Sequence, residues 1–346
     1  MKKNFYLMFF IVVLLWTTNI ALQAKDDFES FRIISYNLEN LFDCVDDSLT
    51  SDESFTPTGD HEWTEAKFWV KINNLSRAIT AAGEWQTPIL IGLCEEENAF
   101  VVKELLYHTQ LREIGYQFVH KDSPDLRGVD VALVYHPQQF HLIAEEFIPV
   151  HITDGKPTRD ILHATGILTN GDTLHVFVNH WPSRYGGELE SEDKRVAAAT
   201  TLRDATDALF AKNSRSKIII MGDFNDYPDN NSLIHGLCAV SPQKSYIFDQ
   251  LYNLSYPIHE KGDIGSHKFG GKWGMLDQFI VSGALLDSEA SCFVQQDGMK
   301  ICQEKFLLKE SATGYAPKRA FLGTLFAYGY SDHLPIYIDL TIKNKK

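Results

Sequence analysis

Short apolar runs alternate with amphipathic segments along most of the chain. Apolar runs bounded by turn-forming residues predict buried strands, which we place at residues 31–36, 88–94, 129–135, 140–148, 161–168, 173–178, 217–221, 275–281 and 334–342. Apolar residues at helical spacing predict helices at 64–82, which Gly83 ends, and at 99–111. A third predicted helix begins after Ser191 as its N-cap and runs to residue 210.

The order of these elements predicts the fold class. Asn170-Gly171 lies between the runs at 161–168 and 173–178, and an Asn-Gly pair in this position is a strong hairpin signal. Hairpin-joined strands mixed with helices favour an α/β fold of antiparallel-rich sheets covered by helices. Because no repeat, heptad or low-complexity linker divides the chain, residues 25–346 are predicted to form a single domain.

The amino-terminal segment predicts export. Lys2 and Lys3 precede an apolar run at residues 5–16, and small and polar residues follow at 17–24. This arrangement is typical of a secretory signal peptide, which we place at residues 1–24 with cleavage after Ala24. The alternative is an uncleaved membrane anchor, but the run is shorter than the ~20 residues that span a bilayer. We therefore expect a periplasmic or extracellular protein.

The composition excludes several classes of protein. The chain has 346 residues, of which 44% are hydrophobic, so it is neither disordered nor a disulfide-stapled small domain. Lysine and arginine total 32 against 46 acidic residues, and the net charge of -14 disfavours non-specific coating of nucleic acid. An enzyme that meets phosphates through a metal ion is consistent with this charge, because the metal supplies the positive charge.

The cysteines carry no metal-binding pattern. There are five, an odd number for an exported chain, and none has zinc-ligand spacing. We expect mostly free and buried thiols, with a Cys292–Cys302 disulfide as the alternative.

Polar residues gather where the predicted strands end. Four apolar runs end in polar groups: Asn37-Leu38-Glu39-Asn40, Glu95-Glu96-Glu97-Asn98, Asn179-His180 and Asp223-Phe224-Asn225-Asp226. A fifth group, Ser331-Asp332-His333, stands directly before the last apolar run. Taken singly, each has an ordinary interpretation as a turn, a loop start, an edge pair or a solvated acidic segment. Strand ends bring distant segments to one rim, so five such motifs in one chain favour a shared site.

In this order the motifs resemble those of the endonuclease/exonuclease/phosphatase superfamily, which includes pancreatic deoxyribonuclease, abasic-site endonucleases, bacterial sphingomyelinases and inositol-polyphosphate phosphatases. The resemblance spans residues 31–342 and rests on Asn37, Glu95, His180, Asp223 and Asn225 in GDFND, Asp277, and Asp332-His333 in SDHLP. Cys94 departs from the pattern, because many members have glutamine there. Residues 128–132, GVDVA, resemble an exported bacterial branch. The resemblance implies a four-layer sandwich of two mostly antiparallel mixed β-sheets flanked by helices.

The motifs favour a hard divalent cation. Mg²⁺ prefers oxygen ligands and keeps several waters, so one or two carboxylates suffice to bind it. Glu95 is the first predicted ligand, Asn37 supports it through its amide oxygen, and Asp332 lies near the same site. Mn²⁺ or Ca²⁺ suits the same ligands, whereas zinc is disfavoured by the absence of a His or Cys cluster with its spacing.

The resemblance also implies roles in proton transfer. His333 contacts the scissile phosphate or the attacking water, and Asp277 fixes its tautomer. Asp223 is the alternative general base, and Asn225 orients the nucleophile or the phosphate. At the level of the sequence, the choice between His333 and Asp223 as the proton acceptor stays open.

A second set of residues is predicted to bind substrate. His180 binds a non-bridging oxygen or protonates the leaving group, and Asn179 beside it contacts the substrate. Asp130 is a candidate partner for His180, with a plain edge-strand acid as the alternative. Arg184 is the predicted phosphate-binding arginine. Histidines without motif support, among them His267, are expected to be structural.

These residues predict a metal-dependent phosphoesterase, most simply a phosphodiesterase or nuclease. The alternatives are a phospholipase C-like enzyme, which needs an exposed apolar loop such as Tyr315 or residues 321–330 could supply, and a sugar- or nucleotide-phosphate phosphatase. A non-catalytic binding protein on the same fold is disfavoured by the full set of motif residues. The expected partner is a phosphate ester; no protein partner is implied, and we expect a monomer.

Overall fold

The computed structural model describes residues 28–84, 86–152 and 155–343. The predicted signal peptide at 1–24 lies outside these residues. Within them, no helix combines the length and apolar character needed to cross a bilayer.

Two β-sheets and four α-helices form the framework of the described chain. The helices are α1 (Glu65–Gly83), α2 (Ala99–Tyr107), α3 (Glu192–Lys212) and α4 (Tyr256–Lys261). The first sheet contains β1 (Phe28–Leu41), β2 (Leu90–Glu96), β3 (Gln117–Val119), β4 (Asp130–Tyr135), β13 (Cys292–Val294), β14 (Lys300–Ile301) and β19 (Ile336–Lys343). The second contains β5 (Phe140–Ile148), β6 (Ile161–Leu168), β7 (Thr173–His180), β8 (Lys217–Asp223), β9 (Leu251–Asn253) and β12 (Asp277–Ser282).

Three short hairpins lie outside the two sheets. They pair β10 (His267–Phe269) with β11 (Lys272–Gly274), β15 (Leu308–Ser311) with β16 (Gly314–Pro317), and β17 (Phe321–Leu322) with β18 (Leu325–Phe326).

The two sheets share one plan. The first has the strand order β13-β19-β1-β2-β4-β3, with β14 also paired to β19, and the second has the order β5-β6-β7-β8-β12-β9. Each sheet has one parallel pair, β1 with β2 and β7 with β8, and the other described pairs are antiparallel. A parallel pair needs a crossover connection, which α1 and α3 provide. The predicted α/β sandwich of two mostly antiparallel mixed sheets is confirmed.

Helices cover the outer faces of both sheets. Phe68, Ile72 and Leu75 of α1 are buried in the core of the first sheet. On the second sheet, Ala199 and Leu202 of α3 pack in an apolar cluster that includes neighbouring strand residues such as Phe177, Ile218 and Ile220. The inner faces meet closely, since the Cys94 thiol of β2 donates to the Asn179 carbonyl of β7 at 3.3 Å.

The predicted major elements are present, with differences at their ends. The helix predicted at 99–111 ends at Tyr107, and a 3₁₀ turn follows at Gln110–Ile114. Ser191 occupies the N-cap position of α3, but its hydroxyl caps no backbone N–H; it donates to the Gly187 carbonyl and accepts from Arg195. All five cysteines are free thiols, so Cys292 and Cys302 form no disulfide. The short strands β3, β9–β11 and β13–β18 carry too few residues for a readable period.

Replacing Gly166 with alanine should destabilise the second sheet. Gly166 pairs with Leu142 of the neighbouring strand, and a Cβ at this position would overlap the ring of the fully buried Phe140. We expect Gly166→Ala to lower the free energy of unfolding by about 1–3 kcal/mol, as overpacking does. Urea denaturation measures this loss. Phe140→Leu in the same background should recover part of it, whereas the exposed control Glu145→Ala should not change stability by more than about 0.5 kcal/mol.

Candidate active site

Three neighbouring strands place polar residues side by side at one edge of the second sheet. His180 at the end of β7 is in register with Asp223 at the end of β8, and Asp223 is in register with Asp277 at the start of β12. Gly222 makes the close approach feasible: its φ is 137°, and a Cβ there would overlap the Asn179 carbonyl. The register alone therefore brings two carboxylates and an imidazole together.

Irregular backbone at the ends of β1 and β2 completes the rim from the first sheet. Glu39, Asn40 and Glu95 all have positive φ, at 53°, 56° and 66°, where the pairing register of the two strands shifts. The amide Nδ2 of Asn37 donates to Asp223 Oδ2 at 3.0 Å, across the interface between the sheets. This hydrogen bond fixes the two sheets to each other at the site.

His333 is held by the most direct side-chain pair of the site. Its Nδ1 lies 2.6 Å from Asp277 Oδ2, and its Nε2 lies 3.9 Å from Asp223 Oδ2. Burial by itself lowers the pKa of His333, but the Asp277 and Asp223 carboxylates outweigh it and raise that pKa well above the ordinary histidine value. The raised pKa favours the protonated imidazolium form of His333.

His180 has the opposite electrostatic character. Its Nε2 lies 3.6 Å from Glu95 Oε1 and 3.9 Å from Asp223 Oδ2. Burial, together with the charges of Arg159 and Arg127, lowers the pKa of His180 well below its ordinary value. The site therefore shifts the pKa values of its two imidazoles in opposite directions.

Asp130 does not pair with His180. It accepts a hydrogen bond from the Ser123 N–H at 2.9 Å and lies 3.6 Å from His120 Nε2. His180 Nδ1 has no hydrogen-bond partner. The hypothesis that Asp130 orients His180 is wrong, because Asp130 lies instead beside Ser123 and His120, in the segment that follows β3.

Asp223 is the hub of the cluster. Its Oδ1 accepts the Asn225 N–H at 2.9 Å, and Asn225 adopts a positive φ of 51° to make this turn. The Asn225 amide in turn donates to the Trp181 carbonyl at 3.0 Å. Burial raises the pKa of Asp223 to about 6, against the opposing charge of His333. Asp223 is consequently ionised at neutral pH.

The two predicted substrate-binding residues have different surroundings. Asn179 is fully buried; its Oδ1 accepts from Trp181 Nε1 at 3.2 Å, while its Nδ2 has no hydrogen-bond partner. Arg184 instead donates to the Asn225 carbonyl at 2.7 Å and pairs with Asp226 at 3.2 Å. These contacts show that Arg184 supports the GDFND turn from behind. A direct contact with substrate stays a prediction for both residues.

Asp332 lies on the far side of His333 and is part of an ionic network that sequence reasoning missed. Its Oδ1 is 4.0 Å from His333 Nε2, and its Oδ2 accepts from Arg319 at 2.8 Å. Arg319 also donates to Glu39 at 3.2 Å. Burial raises the pKa of Asp332, but the charges of His333, His267 and Arg319 outweigh it and lower that pKa below its ordinary value.

His267, expected to be structural, also belongs to the site. Its ring centroid lies 4.8 Å from that of His333, and burial lowers its pKa to about 4. No pattern in the sequence marks His267 or Arg319. Glu39 did carry a signal, because it follows the motif residue Asn37 by two positions on the same strand.

Two overlapping groups of side chains could hold a divalent ion here. They are Asp223, Asp277 and His333, and His267, Asp332 and His333, whose donor atoms lie within 4.8 Å of one another in each group. Of the predicted ligands, Asn37 and Glu95 lie beside the first group, and Asp332 belongs to the second. Their joint coordination of one ion stays a prediction.

A two-sheet α/β sandwich with carboxylates, amides and imidazoles gathered at one rim is the arrangement of metal-dependent phosphate-ester hydrolases. The chain belongs to the Endonuclease/Exonuclease/phosphatase family, whose model matches residues 32–342. Members of this family typically bind a divalent metal, which agrees with the Asp223, Asp277 and His333 group. No curated protein matches the chain in a sequence search.

Solved structures share the fold at low identity. The human Nocturnin catalytic domain with bound sulfate anion is 16% identical, with 90% of this chain and 96% of that chain covered and a TM-score of 0.53. TDP2 from D. rerio complexed with single strand DNA product is 13% identical, with 90% and 99% covered and a TM-score of 0.53. An endonuclease/exonuclease/phosphatase family protein from Bacteroides thetaiotaomicron is 16% identical, with 92% and 99% covered and a TM-score of 0.54.

Replacing Asp277 with asparagine should lower the pKa of His333, because a neutral amide no longer stabilises the imidazolium. We expect the NMR titration of the His333 Cε1 proton in metal-free protein to move down by about one pH unit or more. The resonance of His108, which pairs with Glu104, is the internal control and should be the same in both proteins. An unchanged His333 titration would show that Asp277 does not control its charge.

The same pair sets a pH dependence of stability. The pKa of His333 is higher in the folded than in the unfolded protein, so protonation of His333 increases the free energy of unfolding. This stabilisation is complete below the unfolded-state pKa of ~6.5 and is lost as the pH rises through the folded-state pKa.

Proposed function

We propose that this protein is a divalent-metal-dependent phosphodiesterase. One observation carries the proposal: His333, bonded to the buried carboxylate of Asp277, converges with Asp223 and His180 at one rim. Hydrolysis of a phosphate ester needs a donor to the phosphoryl oxygens, a proton acceptor for water, and a stabilised leaving oxygen. His333, Asp223 and His180 match these three requirements.

The pKa directions support the following proton roles. His333 already holds a proton at Nε2 because its pKa is raised, so it donates to a phosphoryl oxygen and does not act as the base. Asp223, with a pKa raised to about 6, is ionised at neutral pH and accepts the proton of the attacking water. Neutral His180 donates a hydrogen bond from Nε2 to the leaving or a non-bridging oxygen. The unpartnered Nδ2 of buried Asn179 is a further donor for the phosphate.

The donor atoms fit a hard divalent cation. Glu95 is fixed by the Asn40 N–H at Oε2, while its Oε1 contacts His180 and Arg127 at no less than 3.6 Å. Asp277 Oδ1 is buried and has no hydrogen-bond partner. Glu95 with Asn37 and Asp332 would hold Mg²⁺ or Mn²⁺, which leaves Asp223 and His333 for proton transfer and phosphate binding. When bound, such an ion neutralises phosphate charge and lowers the pKa of water.

The solved relatives favour a phosphodiester as the substrate class. The D. rerio TDP2 structure is described with a single strand DNA product and the Nocturnin structure with a bound sulfate anion, which is an analogue of phosphate in charge and shape. Both ligands are those of the relatives; for this chain they support a site that accepts an anionic tetrahedral group within a nucleic acid.

Hydrolysis of bis-p-nitrophenyl phosphate tests the proposal. We expect Mg²⁺-dependent release of nitrophenol that EDTA abolishes. His333→Ala and Asp223→Asn should each reduce kcat by about 10²- to 10⁴-fold, as loss of a proton-transfer group does. Arg112→Ala is the matched control, because Arg112 is exposed and pairs only with Glu113. A folded wild-type protein without turnover on any ester would instead support a binding protein.

A phospholipase C-like activity is the second candidate, and a specific observation favours it. Phe269 of the β10–β11 hairpin, Tyr315 of β16 and Leu325 of β18 are 80%, 60% and 66% exposed, and exposed apolar side chains are what cleavage of a lipid requires. Vesicles of sphingomyelin with Mg²⁺ separate the two activities. If phosphocholine is released faster than a single-stranded oligonucleotide is cleaved, the enzyme is a phospholipase C. If only p-nitrophenyl phosphate is hydrolysed, the enzyme is a phosphatase.

We also propose that the protein belongs to an exported bacterial branch of the family and that it is a monomer. The basic residues Lys2 and Lys3 and the apolar run at 5–16 support cleavage after Ala24. Mass spectrometry of the protein recovered from its native host should give a mature chain that begins at Lys25, and an intact amino terminus would contradict export by cleavage.

A further inference from the structure

A second group of metal-binding residue types lies outside the rim that holds the candidate active site. His120, Asp122 and Asp130 each offer one donor atom, and these atoms lie within 4.8 Å of one another. The group shares no member with the two groups at the rim. His120 and Asp122 follow β3, and Asp130 begins β4, which is the antiparallel neighbour of β3. Strand pairing therefore brings His120 and Asp130 together from the two ends of one loop.

His120 directs a nitrogen without a hydrogen bond into this group. Its side chain is 2% exposed, and its Nε2 lies 3.6 Å from Asp130 Oδ2 and has no hydrogen-bond partner. This separation is too long for a hydrogen bond. Donor atoms that share one ion at ~2.1–2.4 Å stand about 3.0–3.9 Å apart at octahedral or tetrahedral angles. The distance between His120 and Asp130 therefore suits two ligands of one metal ion.

A further carboxyl group faces Asp130 from the neighbouring strand. Glu96 of β2 is in register with Asp130, and directly opposite residues of an antiparallel pair have their Cβ atoms about 4.5–5.5 Å apart on one face. Glu96 is fully buried, yet neither of its carboxyl oxygens has a hydrogen-bond partner. Because burial of a polar group without a partner is costly, these oxygens are a second sign that a ligand belongs here.

The charges around the group favour a divalent ion over a simple ion pair. Lys121, the residue after His120, pairs with Asp160 at 3.2 Å. A proton on His120 supplies one positive charge for the two buried carboxyl groups of Asp130 and Glu96, and it leaves the Glu96 oxygens without hydrogen bonds. A divalent cation balances both carboxylates and accepts the lone pair of the imidazole.

We propose that His120, Asp122 and Asp130 bind a second divalent cation, with Glu96 as a buried fourth ligand. An imidazole among carboxylates favours a transition metal of the zinc class, whereas Mg²⁺ prefers oxygen ligands alone. Asp122 is 81% exposed and gives the ion access from solvent. The inference does not depend on the proposed phosphodiesterase function, because none of these residues has a role in proton transfer.

The ion would fasten a segment that reaches the candidate active site. His120 and Asp130 lie at the two ends of residues 120–130, and Asp125 lies between them. Asp125 accepts from Arg159 at 2.6 Å, and Arg159 also donates to the His180 carbonyl at 3.1 Å. An ion that joins the two ends of the segment would hold Asp125 against Arg159, so we assign the metal a structural role.

A Zn²⁺ titration of metal-free protein, followed by NMR on the imidazole resonances of His120, tests the proposal at the site itself. We expect a saturable shift of these resonances in the wild-type protein. Asp122→Ala and Asp130→Asn should each weaken the affinity read at His120 by at least about tenfold, since even an outer partner of a metal ligand has this effect. Asp122 is exposed, so Asp122→Ala serves if Asp130→Asn fails to fold.

Two controls separate this site from the rim and from surface binding. Glu95→Gln removes a predicted ligand at the rim and should leave the Zn²⁺ affinity read at His120 unchanged. His108, whose Nδ1 lies 2.6 Å from Glu104, is a matched histidine–carboxylate pair, and its resonances should not shift at the Zn²⁺ concentration that saturates His120.

Thermal unfolding provides a second measurement. At about a hundredfold excess over its Kd, Zn²⁺ should raise the Tm of the wild-type protein by at least about 2 °C more than that of Asp122→Ala, because the ion binds only the folded segment. The absence of a saturable His120 shift in folded wild-type protein would overturn the inference. So would an affinity at His120 that neither Asp122→Ala nor Asp130→Asn changes.

Discussion

The structure depends on a set of unlike charges buried together at one rim. The buried carboxylates of Asp277 and Asp223 both lie against His333, and their charges raise the pKa of His333 against the opposing effect of burial. The Asn37 amide joins this group from the opposite sheet at Asp223. Because removal of one member leaves an uncompensated buried charge, the cluster constrains how the two sheets can pack.

Backbone irregularity is concentrated where this cluster is assembled. Regular strands would carry their side chains alternately to the two faces, but Glu39, Glu95 and Asn225 adopt positive φ and turn their chain at the rim. A non-glycine residue rarely takes this conformation, so local backbone energy is given up here. This irregular backbone produces a rim where groups from both sheets face one another.

A second consequence of burial is that similar groups acquire different chemistry. His180 and His333 are both buried histidines, yet the pKa of His180 is lowered by burial and by the charges of Arg159 and Arg127, whereas the charges of Asp277 and Asp223 raise the pKa of His333 against burial. The same rule explains the division between Glu39, whose pKa is raised to about 7 by burial, and Asp332, whose pKa is lowered by neighbouring cations. Residue type alone does not determine role at this rim.

Sequence patterns determined the major strands and helices, because apolar periodicity is a local property. They also identified the motif residues at strand ends, because the strand ends of an α/β sandwich converge at a rim. Periodicity could not find the short strands of the hairpins, nor the positions of His267 and Arg319, which reach the site only through hairpins far along the chain. The motifs also did not show that Asp130 lies beside His120, which follows the adjacent strand β3, or that Arg184 supports the GDFND turn. Which side chains face one another depends on strand register and on the packing of the two sheets, and these are properties of the folded chain.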